Sequence, residues 1–478
     1  VLSSDLIRQG ASGASTGYTI DQSIRFNSPD EHLMYSPTPS GSKNFTTTAT
    51  ISMWIKLGEV SQHYLMGAFY GNNNRYNYVQ INSSGQLQES HRQGGASTSN
   101  GTGEVLYKTN QLFRDPAAWY HLIFVYDSTN SIQTERFRLY VNGERVTDWS
   151  TSPNAKLDSS ELFYWFGKSS PTTLGAYSST TGYDDYFYFD GYMAEIHGVD
   201  GSAYGPEFFG EFKEDTDIWI PKEYTGSHGT DGFYIKGADS SDLGTNSAAN
   251  GNDFTTNGLA AHDQVEDTPT NNFAVYNILY NVGDVDFPNY SEGNLSVDFN
   301  YFGKRSPIST FALPTDSDAY CEFYIKTSAS SSHNSGVGIG QGDTNNAGNV
   351  ALTNGVTYNF NGYKHTGDGT ATTFGNTYTA GDIIGVYFDQ SDNQVDFYKN
   401  NSLEGSLSLS SYTRPLFFIV ANNTTNQQVI IANFGQDDTF AGNKTSGSAG
   451  ASDASGNGRF YYTRISGAKA LCSKSLGS

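Results

Sequence analysis

The stretch RFRLYVNGERV at 136–146 constrains the fold more than any other, because apolar and polar residues alternate on both sides of an Asn142-Gly143 pair. Alternation with a period of two marks a strand with one wet face, and a type I′ turn needs positive φ at both central residues, which Asn and Gly supply at least cost. A β-hairpin is predicted here. The same alternation recurs in IDQSIRFNSPDEHLMY (20–35), TATISMWIKLGEV (48–60, with Ile51, Met53 and Ile55 on one face), WYHLIFVYDS (119–128), ELFYWFGK (161–168) and DYFYFDGYMAEIHGVDG (185–201). No segment before residue 225 has a convincing helical period.

A second alternating region follows in YCEFYIKT (320–327), GVGIG (336–340), VTYNFNGY (356–363), GDIIGVYFDQSDNQVDFYKN (381–400), RPLFFIVAN (414–422) and QVIIANFGQ (428–436). Within 381–400, Val386 and Phe388 on one strand and Val395 and Phe397 on the next can face one core, while the QSDN tip stays wet. Between the two regions, 226–283 is polar and rich in turn formers, which suits an irregular linker. The expected organisation is an N-terminal segment 1–19, a β domain 20–225, the linker 226–283, a second β domain 284–440, and a low-complexity loop with a terminal segment at 441–478. The fold class is all-β, two antiparallel β-sandwiches, and 478 residues fit two to three domains.

Carboxylates outnumber basic side chains 49 to 27, a formal charge of −22, so the field of the molecule repels phosphate backbones and anionic headgroups. Nucleic acid is not an expected partner, nor is membrane insertion, since no run of about 18 apolar residues occurs. Cys321 and Cys472 are too few and too far apart for a disulfide framework or a zinc knuckle. The first residues lack the basic and apolar regions of a secretion signal, although Val1 is not a start methionine.

In order, ISMWIKL, WYHLIFVYDS, RLYVNGERV and FDGYMAEIHGVDG resemble the laminin-G or concanavalin A-like jelly roll, which implies two curved sheets and, in many relatives, a loop site for sugar or protein, sometimes with calcium. YCEFYIKT, GVGIG, GDIIGVYFDQSDNQVDFYKNNSLEG and ANFGQ resemble the SPRY domain, an interaction module without catalysis of its own. Where that family often has Asn-Gly, this chain has Asn400-Asn401, and Asn also tolerates positive φ. The whole succession, with PKEYTGSHGTDGFYI and DTPTNNF at the junction and KALCS near the end, resembles structural proteins of marine tailed bacteriophages. That resemblance implies a virion location, other virion proteins as partners and homo-oligomers.

Concanavalin A-like folds also host glycosidases, whose Glu-x-Asp-x-Glu strand brings two carboxyls to about 5–5.5 Å of each other. The nearest approach, EFKED (211–215), has Lys213 between Glu211 and Asp215. A His-Glu-x-x-His pair and a P-loop are missing. His121, within a strand, is expected to be a satisfied or surface imidazole, and His91, His228 and His262 are expected in polar loops facing water. Binding chemistry remains: a sugar combines apolar C–H faces with hydroxyls, so its sites pair aromatic rings with Asn, Asp and Arg. YGNNNRYNY (70–78) supplies Tyr70, Asn73, Arg75, Tyr76 and Tyr78, and TGYDDYFYFDGY (181–192) supplies Tyr183, Asp184 and Asp185. The acidic pair could contribute to a calcium site but holds too few oxygens to make one. The expectation is a non-enzymatic tail fibre or capsid appendage that recognises a host-surface glycan or protein and requires no cofactor. The alternatives are a purely architectural virion component and a polysaccharide depolymerase.

Overall fold

The computed structural model describes residues 17–27, 30–35, 45–69, 75–92, 104–151, 157–159, 161–166, 171–179, 182–184, 188–248, 250–251, 253–280, 288–299, 306–328, 335–341, 354–367, 371–422, 427–447, 451–462 and 466–476. The chain forms two compact units, Thr16–Thr270 and one containing Asn271–Ser478. Both are antiparallel β-sandwiches, and among the described residues the one α-helix is the single turn Ser473–Leu476. None of the described helices is long and apolar enough to cross a membrane.

The first unit contains two eight-stranded sheets. One runs Glu144–Arg145, Phe137–Val141, Trp119–Asp127, Thr48–Leu57, Gly191–Asp200, Ser23–Phe26, Gln264–Val265, with Phe233–Ile235 also paired to Gly191–Asp200. The other runs Trp149–Thr151, Glu104–Leu112, Gln86–Arg92, Tyr76–Ile81, His63–Phe69, Thr172–Leu174, His32–Tyr35, Thr255–Asn257. Alternate residues of facing strands meet between them: Ile51, Met53 and Ile55 share one apolar cluster with Leu65, Val79, Ile81 and Leu87. Each such side chain stabilises the fold by roughly 1.5–3 kcal/mol through burial. The predicted hairpin is present, with Asn142 at φ 48° and Gly143 at φ 80°.

Two expectations about this unit need correction. Ser52, Trp54 and Lys56, on the opposite face of Thr48–Leu57, are as buried as the core positions. That face is covered by Tyr18, Ile20, Trp119, Tyr192 and Trp219. The expected linker 226–283 is instead part of the sandwich as far as residue 270, supplying Phe233–Ile235, Thr255–Asn257 and Gln264–Val265. Its apolar residues Phe233, Ile235, Leu243 and Phe254 are isolated among turn formers, yet each fills the core.

In the second unit a seven-stranded sheet runs Asn289–Ser291, Ser296–Asp298, Val429–Asn433, Ala319–Thr327, Ile383–Asp389, Gln394–Lys399, Ser402–Ser408, accompanied by a five-stranded sheet of Ala371–Thr373, Tyr363–His365, Gly355–Asn359, Gly336–Gln341 and Leu416–Ala421. Val386 pairs with Phe397 and Phe388 with Val395, all four fully buried, while Ser391 and Asp392 at the tip are exposed. Asn400 and Asn401 both take positive φ, 48° and 69°, so this Asn-Asn turn has the backbone that Asn-Gly would adopt. The terminal segment after the expected loop packs: Phe460, Ala468, Ala470 and Cys472 cluster with Tyr320 and Tyr387. Within the expected loop 441–459, Ala441, Ala451 and Asp453 are buried.

Candidate functional site

Strand Tyr76–Ile81 sends Val79 and Ile81 into the core and therefore carries Tyr76, Tyr78 and Gln80 on the opposite face. Register extends this face sideways. Phe69 lies across from Tyr76 and Gly67 across from Tyr78 on one side, while Arg92, Ser90 and Gln88 lie across from Tyr76, Tyr78 and Gln80 on the other. Glu104 follows beside Arg92.

The aromatic side chains on this face touch one another. Tyr76 is near-parallel to Phe69 (6.0 Å, 28°) and to Tyr78 (5.5 Å, 27°). Tyr177 stands edge-on to Phe69 and Tyr78 and lies 4.7 Å from Tyr64. Gln88 Nε2 donates to the Tyr78 hydroxyl (3.0 Å), Gln62 Nε2 donates to Gln80 Oε1 (3.0 Å), and the Ser90 hydroxyl donates to Glu104. Burial, reinforced by the charge of Glu104, pushes the Tyr76 phenol up to about 12, and burial also raises that of Tyr78. Both phenols therefore keep their protons at neutral pH. Tyr64, Tyr76, Tyr78 and Tyr177 all remain half-buried rather than sealed.

Two stretches far apart in sequence thus meet. Tyr177 belongs to the hairpin Tyr177–Ser179/Gly182–Asp184, where it pairs with Asp184, and Ser178 pairs with Tyr183. Of the residues singled out from sequence, Tyr76 and Tyr78 lie on the face and Arg75 is half-buried just before its strand. Tyr183 and Asp184 enter through their backbone, while Tyr70, Asn73 and Asp185 lie outside the described residues. Tyr64, Phe69, Tyr177, Gln88, Ser90 and Glu104 were not singled out from sequence, because only strand register sets them beside Tyr76.

A second polar cluster covers the outer face of the other sheet. Ser52 Oγ lies 2.8 Å from His121 Nε2, the contact of a nucleophile with its base. The Trp219 indole N–H, which can only donate, occupies His121 Nδ1 at 2.8 Å. Nε2 must then carry the imidazole proton and donate it to Ser52, which leaves no lone pair to activate the serine. Burial also holds His121 well below the ordinary imidazole range, with the charge of His197 adding to it. His121 is a satisfied interior histidine.

Nearby, Glu195 sits in a β-bulge at φ 49°. Its carboxylate accepts from Tyr18 (2.8 Å) and Tyr234 (2.7 Å) and lies 3.5 Å from His197 Nε2. Burial opposes its charge, but His197, Tyr234 and Tyr18 outweigh that and hold its carboxyl below the usual range. Of the histidines expected to face water, His91 is buried and His228 is half-buried. His91 lies on the core side of Gln86–Arg92 and meets Glu161 at 3.1 Å, and His228 Nε2 lies 3.1 Å from His197 Nδ1. The short polar run QLQESHR concealed a buried strand, whereas in TGSHG Thr225, Gly226 and Ser227 are exposed and His228 is half-buried. Among the described residues no group of three or more His, Cys, Asp or Glu side chains could hold a metal ion.

No curated protein matches the chain. Among solved structures it is similar to the LG4-5 domains of the mouse laminin alpha1 chain (11% identity, 88% of this chain, 84% of that chain, TM-score 0.29). It is also similar to the CBM40 of the Ruminococcus gnavus IT-sialidase bound to alpha2,3 sialyllactose (14% identity, 39% of this chain, 92% of that chain, TM-score 0.27). A third similarity is to a human SPRY domain (20% identity, 29% of this chain, 91% of that chain, TM-score 0.24). Residues 34–197, which include the whole tyrosine face, match the laminin G family described as the Concanavalin A-like lectin/glucanases superfamily.

Proposed function

We propose that the first unit is a lectin-like binding module that holds a glycan on the outer face of its second sheet. The single observation that carries this reading is the convergence of Tyr64, Tyr76, Tyr78 and Tyr177 with Arg92 and Glu104 on one half-open surface, with Gln88 and Ser90 buried beside them. Aromatic edges and faces suit the apolar sides of sugar rings, and the phenol and charged groups suit their hydroxyls. The laminin G match over 34–197 supports the class of ligand. Binding rather than hydrolysis is favoured by the occupied Nδ1 lone pair of His121 and by the lack of a Glu-x-Asp-x-Glu strand.

The finer reading rests on the resemblance of the whole chain to structural proteins of tailed bacteriophages. It is that of a virion appendage or tail fibre that contacts a host-surface glycan or protein, with repeated copies raising avidity. No metal is part of the site as proposed, so prior dialysis against EDTA leaves the affinity unchanged.

A glycan array followed by calorimetry tests the assignment. Tyr78→Ala and Tyr177→Ala are expected to weaken the best array ligand about tenfold each, the equivalent of about 1.4 kcal/mol, with the far-UV spectrum unchanged. Absence of saturable binding, or equal affinity in both variants, would sink it. Shortened sugar products would point to a depolymerase instead.

A further inference from the structure

Residues 204–222 leave the first sheet and return to it, and they contain the EFKED run that the binding site does not use. Pro206–Phe208 forms one 3-10 turn and Gly210–Phe212 pairs with Trp219–Pro221. The base of this excursion is fixed. Phe209 is buried against Ile123, Val125, Val199 and Tyr224, and the Trp219 indole bonds to His121. A Cβ at Gly210 or Gly143 would come within 2.3 Å of the Trp219 ring, so the indole is wedged between two glycines. Lys222 N–H closes the excursion by donating to Phe209 O (3.0 Å).

On this rigid base the outer surface is unlike the rest of the molecule. Phe208 and Phe212 are each 41% exposed, and among the described residues they are the only exposed large aromatic side chains in the apolar set. Phe208 packs on Tyr204 (4.4 Å) and Phe212 on Trp219 (4.9 Å), so both rings are held in place while still facing water. Around them Glu207, Glu211, Glu214, Asp215 and Asp217 are exposed, opposed by Lys213, which is paired with Asp215 at 3.3 Å, and by Lys222.

We infer that this hairpin is a docking knob for a protein partner whose surface has an apolar cleft rimmed by lysine or arginine. Preorganised aromatic anchors inside a charged rim are the arrangement of an interface hot spot. Charge decides the occupant. Five carboxylates repel nucleic acid and anionic lipid, and they repel the same knob on a second copy of a chain that already carries −22. Two phenylalanines contribute nothing to a simple cation. A basic, partly apolar protein surface satisfies both features.

The test uses the full chain and a synthetic amphipathic helical peptide built only of leucine and lysine. Expected are hydrogen-exchange protection confined to 205–222, affinity about tenfold weaker in Phe208→Ser/Phe212→Ser although every charge is kept, and a weaker salt dependence in Glu211→Gln/Glu214→Gln. Because the four side chains are exposed, these variants fold. Protection spread over the acidic surface, or unchanged affinity in the phenylalanine variant, overturns the proposal. Equal binding to phosphatidylserine vesicles would overturn it in favour of a membrane. Self-association of the wild type that the phenylalanine variant loses would overturn it in favour of a second copy.

Discussion

Asp267→Ala is expected to destabilise the first unit by about 3–5 kcal/mol, the range for a buried ion pair broken from one side. Lys56 Nζ lies 2.7 Å from Asp267 Oδ2, and both side chains are fully excluded from water. The Trp119 indole N–H donates to the other carboxylate oxygen at 3.1 Å. Removing the carboxylate leaves an ammonium and an N–H inside the protein without their acceptor. Burial already pushes Lys56 down, with Asp267 the main group raising it again, so the variant drives the amine toward its neutral form.

The location multiplies the effect. Asp267 follows the edge strand Gln264–Val265, Lys56 is the penultimate residue of the central strand Thr48–Leu57, and the Ser23 hydroxyl bonds to the Asp267 carbonyl (2.5 Å). Three distant parts of the chain are joined at this pair, and domains are stable by only about 5–15 kcal/mol. Urea denaturation followed by tryptophan fluorescence gives the loss, and a change below about 1 kcal/mol would contradict the account. Lys56→Met/Asp267→Leu is expected to recover most of it, because two apolar side chains carry no desolvation cost.

That pair also shows where sequence reasoning stops. The hairpins at 136–146 and 381–400 were legible because turn chemistry and alternation are local: Asn142, Gly143 and Asn400 carry their backbone preferences with them. Lys56 and Asp267 lie 211 residues apart, and nothing near either announces the other. The role of 226–270 was hidden for the same reason. Its few apolar residues show no period, and Phe233 and Ile235 are placed by pairing with the distant strand Gly191–Asp200. At the candidate site Tyr76 was visible as one ring among asparagines. Tyr64 and Tyr177 join it through strand register and a distant hairpin, which spacing along one segment does not encode. EFKED was sought as a row of catalytic carboxylates, whereas the chain folds it into an exposed turn where the flanking phenylalanines matter more.

The second large effect concerns Glu322, on the central strand Ala319–Thr327. Its carboxylate accepts Tyr461 N–H (2.7 Å) and Tyr462 N–H (3.0 Å), with Asn433 Nδ2 at 3.5 Å and the Tyr320 hydroxyl at 3.4 Å. At Tyr461 and Tyr462 the terminal segment is tied to the sheet through this side chain. Glu322→Ala orphans two backbone donors at about 1–3 kcal/mol each, so a loss of about 2–6 kcal/mol is expected, with hydrogen exchange at 459–462 rising first.

Acidity supplies a separate check on the same group. Burial raises the carboxyl from 4.5 to about 7, and the N–H groups of Tyr462 and Tyr461 offset only part of that rise. Below pH 4.5 both the folded and the unfolded chain hold the proton. Between pH 4.5 and about 7 the folded form keeps a proton that the unfolded form releases, so stability falls as pH rises through this window and is level above it. The fall is on the order of 3 kcal/mol. Glu322→Gln keeps the volume but cannot titrate. It is expected to cost about 1–3 kcal/mol, because its NH₂ meets a backbone donor, and to flatten the pH slope of exchange at 459–462. An undiminished slope in that variant would mean that another group governs the pH response.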